Sequence, residues 1–402
     1  MDKILVVAYY TPPLGLSGVM RVTKLCKFLP ESGWQPVILT VQPVLYYAYD
    51  SILLDDLKGS IIFRTESLDP NRLLYKFKGS KTQEFREFKI SRSSLNFPYK
   101  LLKLLFLPDA KIGWLPFALS TGKKVIQKLK PRAIFATAPP WTALLIGAQL
   151  AYAHQLPFIA DFRDPWPTGF QPPPSYQRPL LRNMLKKIIS RASLITAVNQ
   201  GTARQIFSTL SHQPSTVNHQ VEILENGFDP DEFIVPPEKL AGFSLLYVGN
   251  LYENQEEIAD FLSALAQIPD VRFYLAGAVD KLSQALLEAN PQVTLIGTVP
   301  HSRAIALMKG ADALLYLGKP NQPVGLKLYE YLGAQKPILV WGDENEEAAK
   351  LILECNAGFV CKDEKGLATA LQEIRKNPEQ FQGGDRRRFD RRLQAELLVR
   401  RL

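Results

Sequence analysis

The hydrophobic positions of the chain fall into short β-rich runs separated by longer amphipathic stretches. In the first half, strands are predicted at residues 3–8, 35–40, 61–64, 133–137, 157–161 and 194–198. Between them, residues 19–32 and 141–154 carry apolar side chains at helical spacing. Strands that alternate with helices predict a parallel sheet covered by helices, so we assign the chain to the α/β class.

The same alternation starts again in the second half of the chain. Strands are predicted at residues 244–248, 272–276, 293–296, 313–317 and 337–340, and helices at 258–267, 281–289, 302–309, 325–332 and 346–354. Prolines and a glycine interrupt any regular element between residues 229 and 242. We therefore predict an N-terminal domain at 1–235, a C-terminal domain at 236–380 and a final basic helix at 381–402.

Two segments do not fit this alternation. Residues 69–103 are polar, basic and dotted with aromatics, which predicts a long insertion in the first domain. Residues 165–179 contain six prolines and are predicted to form an irregular loop. Long loops within compact domains are often functional.

The composition is that of a globular protein, with 46% hydrophobic and 22% charged residues among 402. The three cysteines have no CxxC spacing, which argues against a disulfide framework or a zinc site. The first apolar run is too short for a signal peptide, and no segment approaches about 18 uncharged apolar residues. We therefore expect a cytoplasmic protein.

The net charge of +9 is clustered in the sequence. Residues 72–103 hold nine Lys and Arg against two Glu, and residues 385–402 hold seven Arg. Such surfaces meet anionic lipid, nucleic acid or phosphorylated substrates, or are simply solvated. The pattern 101–107, rich in leucine and flanked by lysines, suits either an interfacial helix or a core helix with a basic rim.

Three stretches carry candidate chemistry. The turn after the first strand contains Gly15 and Gly18, followed by Arg21, and suits either a phosphate or a tight turn. The fifth predicted strand ends in a cluster of charged and aromatic residues, Asp161, Arg163, Asp164 and Trp166. These side chains serve either a ligand at the strand end or a structural Asp–Arg pair.

The third stretch begins a helix with Gly325, Leu326 and Lys327, and Glu330 follows one turn later. The helix N-terminus and the lysine charge suit a diphosphate, and Glu330 suits a ribose diol. The alternative is an amphipathic helix with surface charges. Small residues also follow three strands of this half, namely Gly249 with Asn250, Gly277 and Gly297. Together they predict an edge where a nucleotide lies against backbone.

Walker A, H-E-x-x-H and G-x-S-x-G sequences do not occur, and the four histidines are scattered. Residues 194–199, 225–229, 246–249 and 297–312 resemble glycosyltransferase family 4, which has the GT-B fold. The E-x(7)-E donor motif of that family corresponds to Gln322 and Glu330, so its first acid is replaced. The arginine that usually follows the glycine corresponds to Asn250. Lys327, within a K-x-x-E-Y pattern, resembles a branch of surface-polysaccharide enzymes, as do residues 137–140 and 161–166.

The resemblance implies two Rossmann-like domains that face each other across a cleft, the first binding the acceptor and the second the donor. It implies retaining transfer from a UDP- or GDP-linked sugar to a glycan, lipid-linked or small-molecule acceptor, without a metal or separate cofactor. Under it, the donor contacts Gly15, Gly18, Arg21, Gly249, Asn250, Thr298, Val299, Gly325, Leu326, Lys327 and Glu330. Asp161, Asp164 and Gln322 are the catalytic candidates, and Arg163 and Trp166 the acceptor-binding ones.

Two alternatives stay open: a nucleotide-sugar epimerase of the same fold, and a non-catalytic subunit that binds nucleotide or glycan. The basic segments allow a peripheral contact with the inner face of an anionic membrane, and no nucleic acid partner is expected.

Overall fold

The computed structural model describes residues 1–15, 17–44, 49–78, 107–166, 173, 175–210, 221–252, 255–318, 324–381 and 385–402. The chain forms two compact units. Unit 1 comprises residues 1–225 and 394–402, and unit 2 comprises residues 226–393.

Unit 1 contains a seven-stranded parallel sheet of order β3-β2-β1-β4-β5-β6-β7. Its strands are β1 Asp2–Val7, β2 Trp34–Val41, β3 Ile61–Thr65, β4 Ala133–Ala138, β5 Phe158–Phe162, β6 Leu194–Ala197 and β7 Val221–Ile223. Its helices are α1 Ser17–Phe28, α2 Pro70–Lys78, α3 Leu115–Leu129, α4 Thr142–His154, α5 Arg178–Ile189 and α6 Gln200–Leu210.

Helices cover both faces of this sheet because its strands are apolar on both sides. Leu5 and Val7 of β1 point into one buried cluster, which α3, α4, α5 and α6 close. Ile4 and Val6 point into the other, which α1 and the end of the chain close. A strand that is buried on both faces is typical of a parallel sheet.

Unit 2 contains a six-stranded parallel sheet of order β10-β9-β8-β11-β12-β13. Its strands are β8 Phe243–Val248, β9 Val271–Ala276, β10 Val293–Leu295, β11 Ala313–Leu317, β12 Ile338–Trp341 and β13 Gly358–Cys361. Its helices are α7 Gln255–Leu265, α8 Lys281–Glu288, α9 His301–Gly310, α10 Leu326–Ala334, α11 Glu347–Glu354 and α12 Glu364–Lys376. The strand orders of both units confirm the predicted α/β class with two Rossmann-like domains.

The division between the units falls between Glu225 and Asn226, earlier than the 235/236 boundary expected from the sequence. The intervening residues pack within unit 2, because the Phe228 ring contacts Phe233 and the Lys309 ammonium donates to the carbonyl of Val235 at 2.7 Å. Prolines therefore interrupt regular structure here without separating the two cores.

The final helix, α13, spans Arg391–Val399. From residue 394 onward it belongs to unit 1, where Ala395, Leu398 and Val399 are buried beside Ile4 and Val6 of β1. The arginines around it are engaged with carboxylates: Arg388 with Glu354, Arg392 with Asp231, Arg400 with Glu396 and Arg401 with Glu222. The basic run therefore has structural partners within the protein.

The predicted insertion begins with a helix, α2, and residues 79–106 lie outside the described part of the chain. A buried ion pair joins its two flanks, since Lys111 Nζ lies 3.0 Å from an oxygen of Asp69. The Tyr9 hydroxyl donates to the other oxygen at 2.7 Å. Both ends of the insertion are thus held at the carboxyl end of β1. No helix in the described ranges is long and apolar enough to cross a membrane.

Candidate functional site

The chain order of the unit 2 sheet reverses between β8 and β11, which are neighbours in space. In open α/β sheets, ligands bind beyond the carboxyl ends of the strands at such a reversal. Helix α10 begins there, with Gly325 in extended conformation as its N-cap and no side chain capping it. Its first N–H groups and its positive dipole end are suited to an anion.

Lys327 lies in the first turn of α10, and its ammonium group is held by aromatic rings. The Nζ atom lies 3.8 Å from the ring centroid of Tyr247 and 5.5 Å from that of Tyr316. A Cβ placed on Gly249 would lie 3.3 Å from the same nitrogen. A cation above a tyrosine face is attracted by the ring quadrupole. The lysine charge is therefore positioned at the carboxyl ends of β8 and β11, the strands that carry Tyr247 and Tyr316.

Two further tyrosine contacts fix the start of α10 against the strands. The Gly325 N–H donates to the Tyr316 hydroxyl at 3.3 Å, and the Val248 N–H donates to the Tyr331 hydroxyl at 2.8 Å. Burial raises the pKa of Tyr247, Tyr316 and Tyr331, so these hydroxyls stay protonated at neutral pH. The predicted candidates Gly249, Gly325 and Lys327 are thus brought together by three tyrosines, none of which was among the predicted site residues.

The predicted glycine edge is present at the carboxyl ends of β8, β9 and β10. The Gly277 N–H donates to the Gly297 carbonyl at 2.9 Å, and the Gly277 backbone packs directly on that of Gly249. The Asn250 side chain accepts a hydrogen bond from the Ala278 N–H at 3.1 Å, which ties the β8 loop to the β9 loop. The glycines therefore let the loops after β8, β9 and β10 approach one another closely along this edge.

Replacing Gly277 by alanine is expected to destabilise unit 2 by about 1–3 kcal/mol, the usual range for a side chain forced into a packed site. The new Cβ would lie 2.0 Å from the Gly249 carbonyl oxygen, so one of the two loops must shift. Thermal denaturation should show a lower midpoint. Gly59→Ala is the matched control, because its Cβ would meet only Pro30 at 3.5 Å. Equal midpoints for the two variants would contradict the close approach.

The remaining donor candidates occupy the same elements. Leu326 is the first residue of α10, and Glu330 is half-buried one turn after Lys327. Thr298 is exposed and Val299 is half-buried in the loop between β10 and α9. Gln322 lies outside the described residues. The ligand roles of these residues remain predictions.

In unit 1, the predicted catalytic candidate Asp161 is fully buried at the end of β5. Arg21 donates to its carboxylate through Nε at 3.0 Å and through Nη2 at 2.7 Å. The hydroxyls of Thr137 and Thr196 donate to it at 2.6 and 2.7 Å. The carboxylate therefore has its hydrogen-bonding capacity filled by protein groups.

Arg21 was selected as a donor-binding residue, and it too is buried. Besides Asp161, its guanidinium donates to the carbonyls of Leu224 at 2.7 Å and Glu225 at 3.0 Å. A buried charge with these partners is a structural tie between β5 and the segment after β7. In this conformation neither Arg21 nor Asp161 is available to a ligand, which corrects the direct roles expected for them.

Arg163 was selected for acceptor binding, but its guanidinium donates to backbone carbonyls of three neighbouring positions. These are Gly18, Ala138 and Pro139. The side chain holds the start of α1 and the loop after β4 against its own loop. The absence of a side chain at Gly18 lets the Arg163 guanidinium approach the backbone closely, since a Cβ there would lie 3.3 Å from an Arg163 nitrogen. Gly15 is buried in the turn before α1.

Asp164 and Trp166 differ in exposure. The Trp166 indole is 3% exposed and packs edge-on against Trp141 with centroids 5.2 Å apart, so its expected acceptor contact is not available in this conformation. The Asp164 side chain is exposed, and no described residue forms a hydrogen bond or ion pair with it. Partial burial among neighbouring protein atoms raises the pKa of Asp164, and the positive charge of Arg163 opposes this shift. Asp164 is therefore the accessible carboxylate of this motif.

In the described residues, no three or more His, Cys, Asp or Glu side chains are grouped to hold a metal ion. The features that do converge in unit 2 are a cation and a helix N-terminus beside glycine backbone, which together suit a phosphorylated ligand.

The fold of the chain is similar to that of several solved structures. The chain is similar in structure to HepE from Anabaena in complex with UDP, with 14% identity, a TM-score of 0.58, and coverage of 100% of this chain and 99% of that chain. It is also similar to sucrose-phosphate synthase from Thermosynechococcus elongatus, with 16% identity, a TM-score of 0.60, and coverage of 100% of this chain and 98% of that chain. A third similar structure is a Listeria monocytogenes protein assigned as a UDP-N-acetylglucosamine 2-epimerase. Its identity is 10%, its TM-score is 0.55, and the match covers 99% of this chain and 95% of that chain.

No curated protein sequence matches the chain significantly. A family model does match part of it. Residues 242–377, which hold the whole unit 2 sheet and the Lys327 site, match the family described as Glycosyl transferases group 1. The structural neighbours show the two-domain fold, and the family match supports a glycosyltransferase.

Proposed function

We propose that this protein is a glycosyltransferase that uses a UDP- or GDP-linked sugar as donor. The observation that carries the proposal is the Lys327 ammonium group, held 3.8 Å above the Tyr247 ring at the N-terminus of α10. This arrangement supplies positive charge where the sheet order reverses, and residues 242–377 match a glycosyltransferase family. Binding of UDP and UDP-glucose by the Anabaena neighbour is consistent with such a donor.

Transfer requires that negative charge developing on the leaving diphosphate be stabilised. Lys327 and the first N–H groups of α10 would do this without a metal ion. The lysine would take the place of the arginine that relatives carry at the position of Asn250. Fixed groups cost little reorganisation during reaction, which is why such preorganised charge lowers the barrier.

The rest of the donor would lie along unit 2. Glu330 would accept hydrogen bonds from the ribose hydroxyls, and the glycine edge would contact the nucleotide through backbone. Thr298 and Val299 would approach the base, and Gln322 would contact the transferred sugar through neutral hydrogen bonds. These roles follow from the resemblance and from the position of α10.

In unit 1, we assign acceptor or sugar contact to Asp164, because it is the exposed carboxylate of its motif. Asp161, Arg21 and Arg163 would act as positioning residues that hold the loop in place. The acceptor would be a glycan, a lipid-linked sugar or a small molecule, and the transfer would retain the anomeric configuration.

Two other functions remain candidates. An epimerase is favoured by the similarity to the Listeria protein, and a non-catalytic nucleotide-binding subunit by the replacement of the first motif acid with Gln322. All three functions share the nucleotide site. They differ in the fate of the nucleotide sugar. A transferase moves the glycosyl group to an acceptor and releases the nucleoside diphosphate, an epimerase yields an isomeric nucleotide sugar, and a binding subunit does neither.

The test is a calorimetric panel of UDP, GDP, ADP and their common sugars against wild type and Glu330→Ala. We expect saturable binding of one nucleotide, weakened about 10- to 100-fold in the variant, because hydrogen bonds to a charged group contribute about 1.5–3 kcal/mol. Glu288→Ala, on the exposed face of α8, is the control. Acceptor-dependent release of the diphosphate supports the transferase. Conversion of the bound nucleotide sugar into an isomer without release supports the epimerase, and binding with neither release nor conversion supports the subunit. Failure of every nucleotide to bind overturns the donor site.

A further inference from the structure

The helical layer formed by α3, α4, α5 and α6 carries charge of one sign. The four helices contain eight Lys and Arg residues and no Asp or Glu. The basic residues are Lys123, Lys124, Lys128, Arg178, Arg182, Lys186, Lys187 and Arg204. Seven of these lie on α3 and α5, and the four lysines 123, 124, 186 and 187 are all exposed. None of the eight forms an ion pair with a carboxylate in the part of the chain that the structure describes.

The opposite face of the same sheet is different. There, Lys24 pairs with Asp56 at 2.7 Å, Lys58 with Asp55 at 3.0 Å, and Arg401 with Glu222 at 3.1 Å. Basic residues on that face are therefore neutralised within the protein. Within the described residues of unit 1, the α3–α6 layer is therefore a surface of one charge sign that is open to solvent and complementary to an anionic partner.

Apolar and aromatic side chains are exposed beside this charge. Tyr152 at the end of α4 is 70% exposed and Tyr176, just before α5, is 67% exposed. Leu180 on α5 and Phe207 on α6 are also exposed. The Arg191 guanidinium lies 4.4 Å from the Tyr152 ring centroid. Tyrosine, leucine and phenylalanine beside Lys and Arg are the composition of a surface that meets lipid headgroups.

The layer also has suitable dimensions. The helices lie side by side on one face of a parallel sheet, and α3 contains 15 residues. Its length is then about 22 Å, and four helices spaced about 10 Å apart span about 30 Å. Charges spread over such an area match a plane of anionic headgroups better than a single line of phosphates along a nucleic acid strand.

We propose that the exposed face of α3–α6 docks on the surface of an anionic lipid bilayer. The basic side chains would contact headgroup phosphates, and Tyr152, Tyr176, Leu180 and Phe207 would reach the level of the headgroups. This surface uses none of the residues of the insertion and none of the arginines of the chain end. The inference does not depend on glycosyl transfer, because it uses none of the residues assigned to the donor.

The test is flotation of the full-length protein with vesicles of phosphatidylcholine alone or mixed with phosphatidylglycerol. Binding is expected only to the mixed vesicles and should weaken as salt is added. The variant Lys123→Gln, Lys124→Gln, Lys186→Gln, Lys187→Gln should bind at least about tenfold more weakly, since each basic residue near such a surface contributes a factor of about five. A second variant, Tyr176→Ser with Leu180→Ser, should weaken binding without a change in charge.

The control removes four exposed lysines elsewhere, at positions 58, 281, 350 and 365, and should bind the mixed vesicles like wild type. Equal loss in both lysine variants would overturn the proposal, because only net charge would then matter. Absence of wild-type binding to mixed vesicles also overturns it. So does retention on RNA, but not on vesicles, that depends on the same four lysines. Circular dichroism verifies that each variant is folded.

Discussion

Lys327→Ala is expected to weaken nucleoside diphosphate binding by about 10- to 100-fold without unfolding unit 2. A charge-assisted hydrogen bond contributes about 1.5–3 kcal/mol, and every 1.4 kcal/mol changes affinity tenfold. The side chain lies at the start of α10 and over the Tyr247 ring, so its loss removes positive charge at the proposed phosphate position. Calorimetry with the nucleotide that wild type binds measures the change.

Variants of the tyrosine test how the lysine is held. Tyr247→Phe keeps the ring face and should bind nucleotide like wild type, whereas Tyr247→Leu removes the ring quadrupole and should weaken binding. Lys281→Ala removes an exposed charge at the start of α8 and serves as the control for net charge. Unchanged affinity in Lys327→Ala, together with loss in Glu330→Ala, would show that the ribose site is correct and the phosphate assignment is not.

The second large effect is expected from Asp161→Ala. Removing one partner of a buried ion pair typically costs about 3–5 kcal/mol, because the other charge is left uncompensated. For a unit of this size, each 1 kcal/mol lowers the thermal midpoint by about 2–4 °C, so a decrease of about 10 °C follows. Asp164→Ala, three positions later and exposed, should leave the midpoint nearly unchanged. Similar midpoints in the two variants would contradict the structural role of the Arg21–Asp161 pair.

The same pair predicts a pH dependence. Burial acts to raise the pKa of Asp161, but the charge of Arg21 and the hydrogen bonds from Arg21, Thr137 and Thr196 outweigh it and hold the pKa below its ordinary value. A carboxylate with a depressed folded pKa stabilises the protein above the unfolded pKa, and this stability is lost as the pH falls through the folded value. Below about pH 4, wild type should therefore lose more stability than Asp161→Asn. Thermal midpoints across this range measure the difference.

The fold was accessible from the sequence because most strands are apolar runs bounded by turn residues. β7, with three residues, and β13, with four, carry too little of that pattern and were not predicted. Helices α2, α3, α5, α6 and α12 were also not predicted.

The site was accessible where its residues are close in sequence. Gly325, Lys327 and Glu330 share one helix, so their order in the chain predicts their proximity. Asp161 is different, because its partner Arg21 lies 140 positions earlier and no local pattern announces that pairing. Tyr247 was missed for a related reason: within a strand it is indistinguishable from a core residue until the fold brings Lys327 over its ring.

The last residues of the chain complete the hydrophobic core in which its first strand lies. During synthesis, the first 225 residues leave the ribosome well before Ala395, Leu398 and Val399 have been made. Domains generally fold in the order in which they are translated. Here the opening domain must wait, with the Ile4 and Val6 side of its sheet incompletely covered, until translation of the whole second domain has finished.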